Sequence, residues 1–214
     1  MPQKPNQMKL LVNDAGKRFN RDWIFRNLHL SFSKNETYAI TGHNGSGKST
    51  LLQCIAGSTY LSEGSIHFEI NGSIISDEEL FSYVSICAPY LEVIEEMTAV
   101  EFFGYHQQFK KFKDQLSIQN IIDQIGLSKH ANKQIRYYSS GMKQRIKLAQ
   151  AFFSDTPILL LDEPSVGLAP KVIESLFAVL HTLKGSGLTI ILAEQHVPMA
   201  LDLADRAIIL RLGR

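Results

Sequence analysis

The sequence predicts an α/β fold with a mainly parallel core sheet, and three observations support this prediction. Short, continuously apolar segments recur along the chain, as at residues 158–161 and 188–192. Amphipathic helical patterns lie between such segments, and the one that starts near Val172 ends near Gly185. A glycine-rich loop joins an apolar, β-prone segment at 37–40 to a helical pattern. Apolar strands that alternate with helices are typical of a parallel sheet covered on both faces.

Two other regions depart from this alternation. Residues 10–12, 28–32 and 65–70 read as further strands, and Asn71-Gly72 is a strong hairpin signal before a returning strand at 73–75. From residue 97 to about 151 the apolar residues recur with helical spacing, which predicts an inserted helical subdomain. We therefore expect a single domain over residues 1–214. Its core would cover residues 10–88 and 155–214, and the helical insertion residues 97–151.

Composition and charge limit the possible functions. The chain has 214 residues, of which 44% are hydrophobic and 20% charged, as is ordinary for a folded globule. Its formal net charge of +1 provides no bulk attraction to nucleic acid, so we expect no nucleic-acid partner. No apolar stretch is long enough to cross a bilayer, so a role at a membrane would require a partner protein.

The glycine-rich loop carries the strongest functional signal. It fits the pattern G-x-x-x-x-G-K-[ST], in which backbone N–H groups surround a polyphosphate at a helix N-terminus. Lys48 is predicted to contact the β- and γ-phosphates, and the Ser49 hydroxyl to bind Mg²⁺. The candidate nucleotide-binding residues are Gly42, His43, Asn44, Gly45, Ser46, Gly47, Lys48, Ser49 and Thr50. This pattern predicts that the chain binds a nucleoside triphosphate, with Lys48 also contributing to catalysis.

Two carboxylates end the apolar segment at 158–161. Successive side chains of an extended strand point to opposite sides, so Asp162 and Glu163 cannot serve the same purpose. Asp162 suits the Mg²⁺ shell, either directly or through water. Glu163 suits a general base that polarises the water attacking the γ-phosphate.

The segment Tyr138-Ser139-Ser140-Gly141-Met142-Lys143-Gln144-Arg145 resembles the signature motif of ATP-binding-cassette (ABC) ATPases. With the loop and the two acids in the same order, the resemblance covers residues 10–214. It implies a P-loop NTPase fold with a mainly parallel core sheet, an N-terminal antiparallel β-subdomain and an inserted α-helical signature subdomain. It also implies a head-to-tail dimer, in which Ser139 and Gly141 of one subunit contact ATP held by the other. Phe19 matches the aromatic residue that stacks on adenine in this family.

The sequence departs from the family at three positions. The segment Ala88-Pro89-Tyr90-Leu91-Glu92 lacks the usual glutamine, and either Tyr90 or Glu92 could replace it. Ala169 stands where an aspartate is common, and Gln195 where a histidine usually senses the γ-phosphate. An amide can still donate a hydrogen bond to phosphate, although it cannot carry charge. We therefore assign Gln195 to the catalytic set with Glu163 and Lys48.

The resemblance implies an ATPase subunit that drives a separate membrane permease, with ATP and Mg²⁺ as cofactors. Such a subunit would be cytoplasmic and peripheral on the inner face of the plasma membrane. Residues 163–170 and 194–197 are similar to ATPase subunits of branched-chain amino-acid importers, whereas residues 138–145 are similar to those of small drug exporters and slightly favour export. The alternatives are a non-transport ABC ATPase, a hydrolysis-impaired nucleotide-binding subunit and a small-molecule kinase.

Overall fold

The computed structural model describes residues 7–211. The strands in this part of the chain are β1 (Met8–Phe19), β2 (Asp22–Ser33), β3 (Thr37–Thr41), β4 (Glu63–Ile70), β5 (Ser73–Ile75), β6 (Val84–Cys87), β7 (Ile158–Asp162), β8 (Thr189–Ala193) and β9 (Arg206–Ile209). The α-helices are α1 (Lys48–Ile55), α2 (Asp77–Leu80), α3 (Ala99–Gln107), α4 (Ile118–Gln124), α5 (Ser140–Phe153), α6 (Pro170–Gly185) and α7 (Val197–Leu203). These elements form two compact units. One comprises residues 7–86 and 157–211, and the other residues 87–156.

The first unit contains a five-stranded sheet in the order β6-β7-β8-β3-β9. Strand β8 pairs in parallel with both of its neighbours, β7 and β3, and β3 also pairs in parallel with β9. Every residue of β3, β7 and β8 is buried, which explains why their sequences are continuously apolar. Because the strands are parallel, their carboxyl ends lie at the same edge of the sheet, where ligands bind in folds of this kind.

The first unit also contains an antiparallel sheet in the order β2-β1-β4-β5. The predicted hairpin at Asn71-Gly72 is confirmed. Both turn residues have positive φ angles, 52° and 83°, and they join β4 to β5. Strands β1 and β2 have twelve residues each, far longer than the predicted strands at 10–12 and 28–32.

The second unit has its own apolar core around α3, α4 and α5, which includes Phe103, Ile121 and Ile146. The 3₁₀ turns at Lys113–Gln115, Ser128–His130 and Ile135–Tyr137 connect its helices. Phe109, which the helical pattern included, lies beyond the end of α3 and is exposed. No helix within residues 7–211 is both long enough and apolar enough to cross a membrane.

The buried face of α6 is narrower than the apolar stripe that the sequence predicts, which includes Val172, Ile173, Leu176, Phe177, Val179, Leu180 and Leu183. Ile173, Leu176, Phe177 and Leu180 are buried, as predicted. The prediction was wrong for Val172 and Val179, whose relative exposures are 44% and 46%. These two valines lie one heptad apart, so they occupy the same side of the helix. The apolar character of a residue alone therefore does not show whether it lies on the buried or the exposed side of α6.

Candidate active site

The glycine-rich loop follows β3 and leads directly into α1. At Gly42 the φ angle is 151°, and a Cβ atom there would lie 2.4 Å from the carbonyl oxygen of Leu210 and 2.7 Å from Ser46 Oγ. Gly47 is the N-cap of α1 in a left-handed conformation, with φ 97°. A Cβ atom at Gly47 would lie 2.9 Å from Ile24 Cγ2. The loop therefore needs glycine at these two positions to keep its backbone close to its neighbours.

Lys48 is the first residue of α1, and its side chain is buried. Its ammonium group donates to the carbonyl oxygens of Gly42, at 3.0 Å, and His43, at 3.2 Å. Within residues 7–211 no carboxylate oxygen lies within 4.0 Å of this nitrogen. A buried cation whose hydrogen bonds go only to carbonyl groups is suited to an anionic ligand.

Ser46 contributes a second feature that suits a polar ligand. Ser46 is 2% exposed, and its hydroxyl oxygen has no hydrogen-bond partner in the described part of the chain. Buried hydroxyl groups without a partner are uncommon because their desolvation is not compensated. The loop thus fits a phosphate group both by its shape and by its available hydrogen-bonding groups.

Ser49 and Asp162 meet at the carboxyl edge of the parallel sheet. The Ser49 hydroxyl donates a hydrogen bond to Asp162 Oδ1 at 3.0 Å. Burial raises the pKa of the Asp162 carboxyl, and the hydrogen bond from Ser49 opposes this rise. The described residues contain no cluster of three histidine, cysteine, aspartate or glutamate side chains that could hold a metal by themselves. One hydroxyl and one carboxylate match the few protein oxygens that Mg²⁺ takes when phosphates and waters complete its shell.

Glu163 and Gln195 face each other beside this pair. Gln195 Nε2 donates to Glu163 Oε1 at 2.8 Å, and the Glu163 backbone N–H donates to the Ala193 carbonyl at 2.8 Å. Glu163 also has a φ angle of 44°, an unusual backbone conformation for a residue other than glycine. The structure therefore places the Gln195 amide on the candidate base, whereas the sequence suggested a contact with phosphate.

An open cleft of about 330 Å³ lies over these groups. Its lining consists of Ile24, Asn44, Gly45, Gly47, Lys48, Ser49, Thr50, Glu163 and Gln195. The sequence indicated all of these residues except Ile24. A single apolar residue within a strand gives no local signal for a site, so Ile24 could not be found by motif.

Phe19 lies outside that lining, at the last position of β1. Its ring is 49% exposed, and Lys17 Nζ lies 4.8 Å from the ring centroid. An exposed aromatic ring next to a cation can stack on a nucleobase. The role of Phe19 remains a prediction.

Ser139 and Gly141 belong to the second unit. Ser139 is the N-cap of α5, and its hydroxyl accepts a hydrogen bond from the Met142 N–H at 3.3 Å. A Cβ atom at Gly141 would meet no atom within 4 Å, so the backbone at this helix start is open. Both features are compatible with an anion at the helix N-terminus, and the assignment of these residues to ATP remains a prediction.

Comparison with known proteins identifies the class of protein. A family model described as ABC transporter matches residues 25–166. Over 189 residues the chain is 31% identical to the high-affinity branched-chain amino acid transport ATP-binding protein BraG of Pseudomonas aeruginosa, covering 86% of this chain and 81% of BraG. The lantibiotic transport ATP-binding protein SrtF of Streptococcus pyogenes is 27% identical, with coverage of 92% and 84%.

Solved structures agree on the fold. The structure of an ATP-binding subunit of an ABC transporter has a TM-score of 0.81 and 25% identity, covering 96% of this chain and 87% of its own. A dimeric ATP-binding cassette bound to ADP and phosphate has the same TM-score at 24% identity, with 95% coverage of both chains. This chain belongs to the ABC transporter family. It is a nucleotide-binding ATPase subunit with the α/β cassette fold that the motifs predicted.

Proposed function

We propose that the protein hydrolyses ATP in a dimer of two cassettes and thereby drives a separate membrane permease. The hydrogen bond between Gln195 and Glu163, next to the Ser49–Asp162 pair, is the observation that carries the proposal. It brings a candidate base, its orienting amide and a candidate metal site to one edge of the phosphate loop. This arrangement is what hydrolysis of a bound phosphoanhydride requires.

Each residue of the site has a separate part in this reaction. The loop amides and Lys48 bind the phosphates, and Ser49 with Asp162 would hold Mg²⁺, which when bound would offset the negative charge of the phosphates. Glu163 accepts a proton from the attacking water, while the Gln195 amide fixes the orientation of the carboxylate. Phe19 would stack on the adenine ring.

The second copy would complete the site. Ser139 and the Gly141 amide stand at the start of α5, and we propose that they contact the γ-phosphate bound by the partner. Hydrolysis would remove this contact and allow the dimer to open, which is how a soluble subunit could move a permease. The proposal places the protein on the cytoplasmic face of the membrane. BraG is named for amino acid transport and SrtF for lantibiotic transport, so we assign no cargo.

Glu163→Gln tests the reaction and the dimer together. The amide retains the size of the side chain but cannot accept the proton, so we expect steady-state ATP hydrolysis to fall at least 100-fold. ATP binding should remain, and the variant should form a stable dimer with Mg-ATP. The measurements are phosphate release and light scattering after size-exclusion chromatography.

Glu174→Gln is the matched control, because Glu174 is exposed on α6 and lies outside the cleft lining. It should hydrolyse ATP at the wild-type rate. A Glu163→Gln protein that turns over ATP normally, or that stays monomeric with Mg-ATP at high concentration, would contradict the proposal. Co-purification of an untagged permease from the native membrane would test the transport partner.

A further inference from the structure

We propose that Glu194 is a positioning residue that holds the Gln195 side chain against Glu163, an inference that rests on the hydrolytic function proposed above. Glu194 immediately follows β8 and is 1% exposed. No motif assigned it a purpose. Its carboxylate therefore needs a physical explanation, since a buried acid is costly unless hydrogen bonds compensate for its lost hydration.

The carboxylate of Glu194 folds back on the chain that follows it. Glu194 Oε1 accepts hydrogen bonds from the backbone N–H groups of Gln195, at 2.7 Å, and His196, at 3.2 Å. These two amides lie in the turn between β8 and α7, where no strand neighbour is available to them. One carboxylate oxygen therefore sets the direction in which the backbone leaves the sheet.

This turn is also bonded to the strands on both sides of β8. The Glu194 N–H donates to the Ile40 carbonyl at 3.4 Å, in the strand that leads to the phosphate loop. The Ala193 carbonyl accepts from the Glu163 N–H on the opposite side. The start of the turn is thus fixed by the sheet, and its continuation is fixed by the Glu194 side chain.

The position of the Gln195 amide depends on this continuation. Gln195 itself is exposed, and within residues 7–211 its side chain makes one hydrogen bond, the bond to Glu163. A rotation of the Gln195 backbone would move Nε2 out of hydrogen-bond range of Glu163. Glu194 is not among the residues that line the cleft, so it acts on the base through Gln195.

The second carboxylate oxygen of Glu194, Oε2, indicates which substitution the protein should tolerate. Oε2 has no hydrogen-bond partner among the described residues, so the hydrogen bonds that hold the turn are made by Oε1. Glutamine retains one carbonyl oxygen in the same place. Glu194→Gln should therefore preserve the turn, whereas Glu194→Ala and the similarly sized Glu194→Met remove the acceptor.

Steady-state ATP hydrolysis, measured over a range of Mg-ATP concentrations, provides the first test. We expect Glu194→Ala and Glu194→Met to lower the rate about tenfold, while KM changes less than about twofold. Glu194→Gln should stay within about twofold of the wild-type rate. In a Gln195→Ala background, which is itself slow, Glu194→Ala should cause no further loss, because the side chain through which it acts is gone.

Thr189→Ala is the matched control. Thr189 lies at the other end of β8, is fully buried, and accepts a hydrogen bond from the Asn35 N–H at 2.9 Å. Its loss removes a buried acceptor from the same strand and should lower stability without changing the rate. This control separates general destabilisation of β8 from positioning of Gln195.

Amide hydrogen exchange of the nucleotide-free protein provides a test that needs no activity. The Gln195 and His196 amides should exchange at least tenfold faster in Glu194→Ala than in the wild type, and remain protected in Glu194→Gln. If Glu194→Ala does not fold, Glu194→Met carries the same expectations. Thr189→Ala should leave these two amides unchanged.

Three results would overturn the inference. They are a wild-type rate in Glu194→Ala, an equal loss in Glu194→Gln and Glu194→Ala, or a full tenfold loss caused by Glu194→Ala when Gln195 is already absent. Failure of the proposed ATP hydrolysis would give a different experimental result. In that case Glu163→Gln would hydrolyse ATP at the wild-type rate, whatever the variants at Glu194 do.

Discussion

Lys48 and Gly47 show how single residues prepare the phosphate site. The buried Lys48 ammonium donates to two carbonyl oxygens of its own loop, which keep it oriented without neutralising its charge. Phosphate oxygens can replace or join these carbonyls, because an ammonium group has three donors. Preorganisation of this kind lowers the cost of ordering the side chain when ATP binds.

Gly47→Ala should destabilise the protein more than Gly45→Ala. Both glycines have positive φ angles, 97° and 81°, so each substitution carries a backbone cost of about 1–2 kcal/mol. Only Gly47 has a close neighbour, since its Cβ would lie 2.9 Å from Ile24 Cγ2, whereas a Cβ at Gly45 would meet no described residue within 4 Å beyond its chain neighbours. We expect the free energy of unfolding of Gly47→Ala to be lower by about a further 1–2 kcal/mol in urea denaturation.

Shortening Ile24 provides the control for this comparison. In an Ile24→Ala background the extra cost of Gly47→Ala over Gly45→Ala should largely disappear, because the contacting methyl group is gone. Equal costs for the two alanine substitutions in the wild-type background would show that the contact with Ile24 has no energetic importance.

At the scale of elements, helices α3 and α5 of the second unit are joined by a partly buried polar network. Gln150 Nε2 donates to His106 Nδ1 at 3.0 Å, and His106 Nε2 lies 2.8 Å from Ser154 Oγ. The Ser154 hydroxyl in turn donates to the Gln150 carbonyl at 2.6 Å. Every donor meets an acceptor when the imidazole is neutral with its proton on Nε2.

Protonation of His106 would break this network, which makes the second unit sensitive to acid. Burial lowers the pKa of His106 to about 4, and Lys110 adds to this effect. A histidine in the unfolded chain has a pKa of about 6.5, so the unfolded state binds more protons between these two values. The stability of the wild type should therefore fall as the pH decreases from about 6.5 towards 4.

His106→Gln should be less stable than the wild type at pH 7 but should lose less stability between pH 7 and pH 5, by about 1 kcal/mol. Urea denaturation at both pH values measures the difference. His130→Gln is the control, because His130 is exposed in the same unit and takes no part in the hydrogen bonds that join His106 to Gln150 and Ser154. An identical pH dependence in His106→Gln and the wild type would contradict this assignment.

At the scale of the whole molecule, the two units should respond differently to ATP. The phosphate loop lies in the first unit, whereas the start of α5 lies in the second. In Glu163→Gln with Mg-ATP, residues 42–55 should gain protection from hydrogen exchange at any protein concentration, because one chain binds the phosphates. Residues 139–145 should gain protection only as the protein concentration rises, because a second copy is needed.

Lys48→Ala should abolish both effects, since it removes the cation that we propose binds the phosphates. Hydrogen exchange with mass spectrometry, carried out over a 100-fold range of protein concentration, measures them. Protection of residues 139–145 that is independent of concentration would contradict the dimeric site.

Short sequence patterns were sufficient to predict the elements whose conformation depends mainly on residues close together in the chain. The phosphate loop, the buried strand before Asp162 and the Asn71-Gly72 hairpin each follow from a short pattern. Strands β1 and β2 were underestimated because their pairing shifts register at several places, including between Val12 and Ala15. Each shift breaks the two-residue alternation by which a strand is recognised.

The site was less predictable where it depends on contacts between distant segments. The sequence showed Gln195 only as a replacement for histidine, and its bond to Glu163 joins residues 32 positions apart. Nothing in the sequence indicated that Glu194 is buried, because an acid after a strand is ordinarily solvated. Its burial results from the turn that folds its carboxylate back onto the next two amides.

The left-handed backbone conformation of Glu163 lowers the stability of the protein but keeps a carboxylate at the proposed site of hydrolysis. Glycine or asparagine would adopt this conformation more easily than glutamate, by about 1 kcal/mol, yet neither could serve as the base. A lineage that no longer depended on hydrolysis would gain a sturdier protein by abandoning this carboxylate. The proposed role of Glu163 in hydrolysis would account for a carboxylate in so unfavourable a conformation.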